Sequence, residues 1–461
     1  MILKQYYLGC LSHASYLIGD PEAGTAAVVD PQRDVGHYLA EAGARGLSID
    51  RVFLTHFHAD FLAGHLELRE RAGAEIHLGS RAEAEYAFTP VDDGEVVPLG
   101  ALRLRVLHTP GHTPEGISIV IHESEGSPPH AVLTGDTLFI GDVGRPDLMV
   151  ASGMSAEDLA GMLYDSLHEK LLRLPDDVLL YPAHGAGSAC GKNLSSETVA
   201  RLGDQRRMNP MLRPMTKKEF VDTLTADQPA APAYFSYDAR MNTRERPTLD
   251  ETLARVLRPL TVETAVRMAN SGAVLLDTRD PDDFADGHIA GSVNIGLRGN
   301  YASWAGALLD PTTPLVILGE PGTEEEAAMR LGRIGFDNVA GYVEGGMTRA
   351  HDHEDLLRCT GRVDASGLAA AMAGEARPVV LDIRTPGEWS AGHIEGSIHL
   401  PLLQLMQRLD ELPADREFVV ACRSGYRSSI GASLLRTRGF PARDLRGGLL
   451  AWDSHRIQAE P

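Results

Sequence analysis

Histidine and carboxylate side chains recur in four short segments in the first half of this 461-residue chain. The segments read THFHADF (residues 55–61), TPGHT (109–113), TGDT (134–137) and YPAHG (181–185). Each follows a short aliphatic run that predicts a strand, so we expect their side chains to meet at one edge of a sheet. Histidine nitrogens and carboxylate oxygens gathered in this way are typical metal ligands. The order and context of the four segments therefore predict a metal centre rather than scattered surface histidines.

Cys422 opens a second motif, CRSGYR (residues 422–427), which lies between an aliphatic run and a segment with helical apolar periodicity. This order predicts a strand, a loop and a helix, with the thiol at the amino end of the helix. The helix dipole, the loop N–H groups and the guanidinium groups of Arg423 and Arg427 would all favour a thiolate. A buried structural cysteine is the alternative, and two flanking arginines fit it poorly. The motif predicts a reactive cysteine that could carry a persulfide.

The other three cysteines are weaker candidates. Cys190 lies in a glycine-rich segment six residues after His184, so it is either a thiolate at the metal or an inert buried thiol. Cys10 could also face the centre, and we expect no chemistry from Cys359. Four cysteines in a chain of this length, without a CxxC pair, do not make a disulfide framework. A reducing, cytoplasmic setting is therefore expected.

The charge of the chain excludes some partners. With 43 Lys+Arg against 64 Asp+Glu, the formal net charge is −21, which opposes binding to nucleic acid phosphates or to an anionic membrane. No apolar run reaches the roughly 18 residues that span a bilayer. The first ten residues lack the apolar core of a signal peptide. The expected partners are therefore small molecules.

The second half of the chain repeats itself. Residues 274–292 and 379–397 share a D-x-R pattern and a GHI tripeptide at a constant offset of 105 residues. A single repeat of this length predicts tandem domains rather than a solenoid. Alternating aliphatic runs and helical segments predict α/β domains with parallel sheets.

The first repeat lacks the reactive loop. Aligning Gly322 with Gly425 places Gly319 where Cys422 stands and Glu324 where Arg427 stands. Without a thiol, and with an acidic run that would repel a thiolate, this repeat is expected to keep its fold without chemistry. A spacer or docking role is the natural expectation.

Aliphatic runs and helical periodicity predict the elements that position these motifs. Three domains are expected, at residues 1–245, 246–357 and 358–461, in line with about 150 residues per domain. Proline-rich residues 227–247 are expected to form a linker or a loop laid over a surface. The expected helices are 61–71, 156–172 and 429–437, and the expected strands are 26–29, 52–54, 102–107, 117–121, 178–181, 315–318 and 418–421.

The four N-terminal segments resemble those of the metallo-β-lactamase superfamily, which has an αββα sandwich and an HxHxD motif followed by a later His, a bridging Asp and a final His. The resemblance covers roughly residues 1–245. The dinuclear hydrolases of that superfamily usually carry a histidine directly after the motif aspartate, and it ligates the second metal. Here that position is Phe61, which has no lone pair, so a two-metal hydrolase is not expected.

In the persulfide dioxygenase branch of the superfamily, one ferrous iron is held by two histidines and one aspartate. The resemblance implies that His56, His112 and Asp136 hold one Fe(II) per chain, with open positions for substrate and O₂. It implies that His58, Asp60 and His184 orient these ligands or face the substrate. It also implies that Tyr181 contacts the thiol substrate.

The CRSGYR loop, the D-x-R and GHIEG motifs and the closing Arg446-Gly-Gly segment resemble the rhodanese sulfurtransferase family. The whole chain is therefore similar to a persulfide dioxygenase followed by two rhodanese-like α/β domains. The resemblance implies oxidation of a low-molecular-weight thiol persulfide with O₂ to sulfite, sulfur transfer through Cys422 that yields thiosulfate, and a homo-oligomer. Two rivals remain open: a zinc thioesterase of the glyoxalase II type with rhodanese appendages, and a sulfur carrier or sensor without turnover.

Overall fold

A computed structural model describes residues 1–148, 153–226, 228, 231–375 and 377–459. The chain forms two compact units, Met1–Thr252 with Gly332–Gly335, and Leu253–Leu331 with Phe336–Pro461. Among the described residues, no helix is both long enough and apolar enough to cross a membrane.

The first unit contains two six-stranded sheets, ordered β1-β2-β3-β4-β5-β6 and β12-β11-β10-β9-β8-β7. Its strands are β1 (Ile2–Leu8), β2 (His13–Asp20), β3 (Thr25–Val29), β4 (Ser48–Phe53), β5 (Glu75–Gly79), β6 (Thr89–Val91), β7 (Val96–Leu99), β8 (Leu102–His108), β9 (Ile117–His122), β10 (Pro129–Gly135), β11 (Leu179–Pro182) and β12 (Ala200–Arg201). Its helices are α1 (Gly36–Ala44), α2 (His65–Ala72), α3 (Ala156–Glu169), α4 (Leu202–Met208), α5 (Lys217–Thr225) and α6 (Phe235–Met241).

Alternation along the strands assembles these sheets into a sandwich. On β10, Ala131 and Leu133 join an apolar core shared by the two sheets, while Val132 between them faces the opposite side. There it packs in a second core that contains Leu163 of α3 and Phe220 of α5. Successive strand side chains point to opposite faces, so an aliphatic strand with no polar face indicates burial on both. The result is the expected αββα layering.

The second unit contains two five-stranded parallel sheets, ordered β13-β18-β17-β14-β16 and β20-β24-β23-β21-β22, and a two-stranded pair β15-β19. Its strands are β13 (Pro259–Leu260), β14 (Val274–Asp277), β15 (His288–Ile289), β16 (Val293–Asn294), β17 (Leu315–Leu318), β18 (Val339–Val343), β19 (Leu357–Arg358), β20 (Arg362–Val363), β21 (Val379–Asp382), β22 (Ile398–His399), β23 (Phe418–Ala421) and β24 (Ala442–Leu445). Its helices are α7 (Leu249–Val256, which contains the division between the units), α8 (Val262–Asn270), α9 (Pro281–Asp286), α10 (Tyr301–Leu308), α11 (Glu324–Gly332), α12 (Gly346–Ala350), α13 (Ala365–Ala373), α14 (Pro386–Ser390), α15 (Leu402–Leu405), α16 (Tyr426–Thr437) and α17 (Gly448–Ala459).

The two large sheets have the same strand order, so the internal repeat in the sequence is a repeat of structure. Each repeat contains the same buried ion pair. Arg279 bonds Asp277 at 2.6 Å and Arg384 bonds Asp382 at 2.6 Å. Each arginine also donates to the carbonyl of the glycine in its GHI motif. A buried charge needs such complete pairing, so removing one partner of either pair would leave an unpaired buried charge and destabilise that repeat.

Four sequence expectations about helices and loops are wrong in detail. The helix expected over residues 429–437 begins three residues earlier, at Tyr426. The helix expected from residue 61 begins at His65, because Gly64 donates to the Pro31 carbonyl and a Cβ there would lie 2.3 Å from the Gln32 oxygen. The helix expected to reach residue 172 ends at Glu169, followed by a short 3₁₀ turn. The segment 227–247 contains helix α6, and its residues 227, 229 and 230 lie outside the described ones.

Candidate functional site

Strand ends in both sheets of the sandwich converge on one buried cluster. The HxHxD segment follows β4 of the first sheet, while His112, Asp136 and His184 follow β8, β10 and β11 of the second. Gly135, at the end of β10, has φ +53° and lies so close to the first segment that an added Cβ would be 2.5 Å from Thr55 Oγ1. Only glycine lets the two strand ends approach this closely.

His56, His112 and Asp136 present three ligand atoms to one point. Asp136 Oδ2 lies 3.8 Å from His56 Nε2 and 3.5 Å from His112 Nε2, and all three side chains are buried. Each residue offers one atom within 4.8 Å of the others. Two imidazoles and one carboxylate around a single point are a donor set that both non-haem iron sites and catalytic zinc sites use.

Hydrogen bonds fix both imidazoles with the lone pair of Nε2 toward this point. His112 Nδ1 bonds the Arg145 carbonyl at 2.8 Å, so it must carry the proton. Thr55 Oγ1 donates to Asp30 Oδ2 at 2.8 Å and can therefore only accept from His56 Nδ1, at 2.9 Å. Such bonds to the outer nitrogen set the tautomer and orientation of metal-binding histidines.

Burial and mutual repulsion keep these two histidines neutral. Burial and the neighbouring His58 hold the pKa of His56 well below its usual range, and burial also lowers the pKa of His112. Burial alone would raise the pKa of Asp136, but His184, His56 and His112 together hold it well below its ordinary value. The cluster therefore offers two neutral nitrogens and one carboxylate, the protonation states that a cation requires.

A second group, His58, Asp60 and His184, lies beside the first. His184 bridges the two groups, with Nδ1 donating to Asp136 Oδ1 at 2.7 Å and Nε2 lying 2.9 Å from Asp60 Oδ2. Burial opposes a charge on His184, but Asp136 and Asp60 raise its pKa well above the usual value. His184 thus orients the Asp136 carboxylate and neutralises part of its charge.

Phe61 fills the space next to the second group. Its ring is fully buried, with its centroid 4.0 Å from that of His13 and 4.4 Å from that of His58. An apolar ring here provides no ligand atom. Its packing confirms that Phe61 faces the centre rather than the outside of the sandwich.

Cys190 is the cysteine that the structure brings to the centre. Its sulfur lies within 4.8 Å of ligand atoms of Asp136 and His184. Burial, Asp60 and Asp136 raise the pKa of the Cys190 thiol well above its usual value. A bound cation would oppose this shift, because its charge favours the thiolate. Cys10 and the exposed Cys359 belong to none of the ligand groups found among the described residues.

In the second unit, Cys422 lies at the end of β23, directly before α16. The residue is 1% exposed, and its Sγ accepts a hydrogen bond from the Gly425 N–H at 3.1 Å and contacts Ser428 Oγ at 3.4 Å. Gly425 has φ +95°, so the turn that directs its N–H toward the sulfur is one that L-residues rarely adopt. The loop therefore directs a backbone N–H at the sulfur, and a reactive Cys422 stays a prediction.

The two arginines of the loop have different environments. Arg427 makes a two-pronged ion pair with Glu388 at 2.6 and 2.8 Å, and this pairing lowers the pKa of Glu388 to about 2. Arg423 is exposed at the mouth of the loop. Of the two, Arg423 is therefore the more available to an incoming anion.

A model of the metallo-beta-lactamase superfamily matches residues 8–184, and a model of the rhodanese-like domain matches residues 261–353 and again 365–455. The crystal structure of a metallo-beta-lactamase from Staphylococcus aureus subsp. aureus COL is 31% identical, with a TM-score of 0.66, over 74% of this chain and 98% of that one. This chain belongs to the metallo-β-lactamase superfamily and carries two rhodanese-like domains.

Two enzyme classes occur among the relatives of this superfamily member. The mitochondrial persulfide dioxygenase of Homo sapiens is 30% identical over 222 residues, which are 48% of this chain and 79% of that protein. A hydroxyacylglutathione hydrolase of Bradyrhizobium sp. (strain ORS 278) is 36% identical over 180 residues, 38% of this chain and 64% of that protein. Persulfide dioxygenase homologues together with rhodanese domains indicate an enzyme of sulfur metabolism.

The structure of this superfamily member brings most of the expected side chains together, but not Tyr181. Its ring packs against the apolar core between the sheets, 5.6 Å from the Tyr16 ring. A contact between Tyr181 and a thiol substrate therefore stays a prediction.

Two residues at the metal centre, Asp30 and His13, lie outside the motifs recognised in the sequence. Asp30 accepts from Thr55 and lies 3.0 Å from His58 Nε2, and its φ of +51° is unusual for a residue other than glycine. His13 reaches the centre because its backbone bridges that of His184. The only available signal was the position of Asp30 directly after a buried strand.

Proposed function

We propose that the chain is an iron(II) persulfide dioxygenase that also transfers sulfane sulfur through Cys422. The reaction would be RSSH + O₂ + H₂O → RSH + HSO₃⁻ + H⁺. The observation that supports it is the buried triad of His56, His112 and Asp136, next to which Phe61 provides no further ligand. Two histidines and one carboxylate leave positions open for both reactants.

The residues present fit one iron ion per chain. His56 and His112 each have a lone pair on Nε2, and Asp136 is ionised. When bound, ferrous iron would hold persulfide and O₂ side by side and exchange electrons with them.

The surrounding side chains would orient the ligands. His184 holds the Asp136 carboxylate through its Nδ1–H, and Asp30 holds His56 through Thr55. Such groups around the ligands typically contribute 10- to 100-fold in metal affinity or activity. Phe61 places an apolar ring against His58 on one side of the centre.

Sulfur transfer would take place in the second unit. A persulfide on Cys422, with its terminal sulfur negative, would react with sulfite: RSS⁻ + SO₃²⁻ → RS⁻ + S₂O₃²⁻. The S–S bond breaks, the sulfite lone pair forms the new bond, and the electron pair returns to Cys422. The Gly425 N–H stabilises the thiolate that leaves. Covalent linkage of both activities raises the effective concentration of sulfite near the acceptor.

Metal analysis of anaerobically purified protein, combined with O₂ uptake on an added persulfide, tests this proposal. We expect one iron per chain and one sulfite per O₂. His112→Ala should abolish both, whereas His130→Ala, a partly exposed histidine on β10, should change neither. Two zinc ions per chain and no O₂ uptake would contradict the proposal.

A zinc-dependent thioester hydrolase is the second candidate function. The observation that favours it is the group of His58, Asp60 and His184, together with the hydroxyacylglutathione hydrolases among the relatives. Turnover of an acyl-glutathione thioester by the zinc-loaded protein would support it.

A cytoplasmic location, a homo-oligomer and domain limits at 1–245, 246–357 and 358–461 also stay predictions.

A further inference from the structure

The helix that carries the cysteine loop packs against the repeat that has no cysteine. Two serines of α16, one turn apart, face Asn294 on β16 of the first repeat. Ser429 Oγ donates to Asn294 Oδ1 at 2.6 Å, and the Asn294 N–H donates to Ser433 Oγ at 3.0 Å. All three residues are buried. Buried polar groups must be paired, so these bonds fix one relative position of helix and strand.

A second contact reaches the loop itself. Tyr426, the fifth residue of the CRSGYR motif, donates from its hydroxyl to the Gly296 carbonyl at 2.7 Å. Its ring lies so close to Gly299 that an added Cβ would be 2.4 Å from Tyr426 Cζ. Arg330 of the first repeat bonds the carbonyls of Leu297 and Gly299 and so holds this acceptor segment in place.

A third contact runs through Arg362, the first residue of β20. Asp282 of the first repeat bonds Arg362 Nη1 at 3.0 Å. Arg362 Nη2 donates to the Gly425 carbonyl at 2.8 Å and to Asp444 at 2.6 Å. Asp444 in turn accepts from Ser428 Oγ, which contacts Cys422. The charge of Asp282 is therefore two hydrogen bonds away from the carbonyl of Gly425, the residue whose own N–H faces the sulfur.

We propose that the first repeat, termed the silent repeat because its loop lacks the cysteine, sets the shape of the Cys422 loop. Tyr426 and Arg362 act as positioning residues. The proposal rests on the sulfur transfer proposed above and gives the silent repeat a part in it. Gly425 is held on both sides, by Arg362 at its carbonyl and by Tyr426 next in the chain. A shift of its N–H away from Cys422 Sγ would weaken the stabilisation of the thiolate and of the persulfide.

The test is Gly299→Ala in the full-length protein, since the added Cβ must displace the Tyr426 ring. Gly287→Ala is the matched control, because this glycine lies in the same repeat, has extended backbone and would place its Cβ in open space. We expect Gly299→Ala to lower kcat/KM for thiosulfate:cyanide sulfur transfer about tenfold, as misplacement of a reacting group does. The pH midpoint of Cys422 alkylation, followed by peptide mass spectrometry, should move upward. Gly287→Ala should change neither.

A double-mutant cycle with Tyr426→Ala identifies the route. Once the ring is removed, Gly299→Ala should cost nothing more, whereas two independent effects would add. Additive losses, or a Gly299→Ala protein that matches Gly287→Ala in both readouts, would overturn the proposal. If Gly299→Ala lowers the melting temperature sharply, Tyr426→Phe removes only the hydrogen bond and should shift the alkylation midpoint the same way. Absence of any Cys422-dependent transfer in the wild-type protein would contradict the proposed function, while the alkylation midpoints would still decide this inference.

Discussion

The Gly322 N–H donates a hydrogen bond to Glu324 Oε2 at 2.8 Å in the silent repeat. The matching amide in the other repeat, that of Gly425, donates instead to Cys422 Sγ. The two glycines have nearly the same backbone angle, φ +93° and +95°. The silent repeat thus keeps the turn that accommodates an anion but fills it with its own carboxylate.

This relationship predicts what is needed to restore chemistry to the silent repeat. Gly319→Cys, in a Cys422→Ser background, should stay nearly inactive, because Glu324 competes for the amide and its charge disfavours a thiolate. The new Cβ would also lie 2.8 Å from both Thr278 Oγ1 and Thr323 Oγ1. Adding Glu324→Arg should raise activity in a thiosulfate:cyanide assay. Strong activity from Gly319→Cys alone would show that Glu324 does not control the loop.

Phe61→His should increase binding of a second metal ion. The new imidazole would stand beside His13 and His58, where the wild-type ring provides no ligand. Elemental analysis should show more than one metal per chain after loading with zinc, and O₂ uptake should fall. Phe61→Leu is the control: it keeps an apolar side chain in this buried position and should leave occupancy at one. Equal occupancy in both variants would mean that Phe61 does not limit the number of ions.

The two activities should be separable by single substitutions. Cys422→Ser should abolish sulfur transfer and leave O₂ uptake with a small persulfide intact, while His56→Ala should do the reverse. Cys359→Ser, which removes an exposed thiol, should affect neither rate. Loss of O₂ uptake in Cys422→Ser would mean that the iron chemistry depends on the rhodanese thiol.

The metal-free protein should lose stability as the pH falls below about 6.5. Burial and Arg246 hold the pKa of His65 well below the ordinary 6.5, so below that pH the unfolded chain gains a proton that the folded chain does not take. One such group contributes up to about 1.4 kcal/mol per pH unit. His65→Phe, which keeps a ring against Tyr86, should flatten the slope in denaturant titrations at several pH values.

Two strands of the second unit were predicted best from the sequence. The strands over 315–318 and 418–421 are confirmed to the residue, because an aliphatic run ends there at a glycine or a reactive loop. Gly346 lies close to the Gly319 carbonyl, and Gly448 lies close to the Cys422 carbonyl in the same way. The alignment of Gly319 with Cys422 therefore agrees with the structure.

Contacts between distant parts of the chain were beyond the sequence. His13 reaches the metal centre only because β2 bridges the segment after β11, and periodicity contains no information on such pairing. The pairing of Arg427 with Glu388 was missed for the same reason, so the motif alone made Arg427 a ligand for anions. Local patterns reveal which residues are reactive, and only tertiary structure shows which partners moderate them.

The buried pairs Asp277–Arg279 and Asp382–Arg384 have a consequence for how such proteins are recognised. Both pairs are intact, although only one of the two modules has a nucleophile. The architecture of a repeat can therefore persist when its loop contains no thiol. A census based on the D-x-R residues would count two sulfurtransferase modules in this chain, whereas only one of the two loops contains a candidate nucleophile.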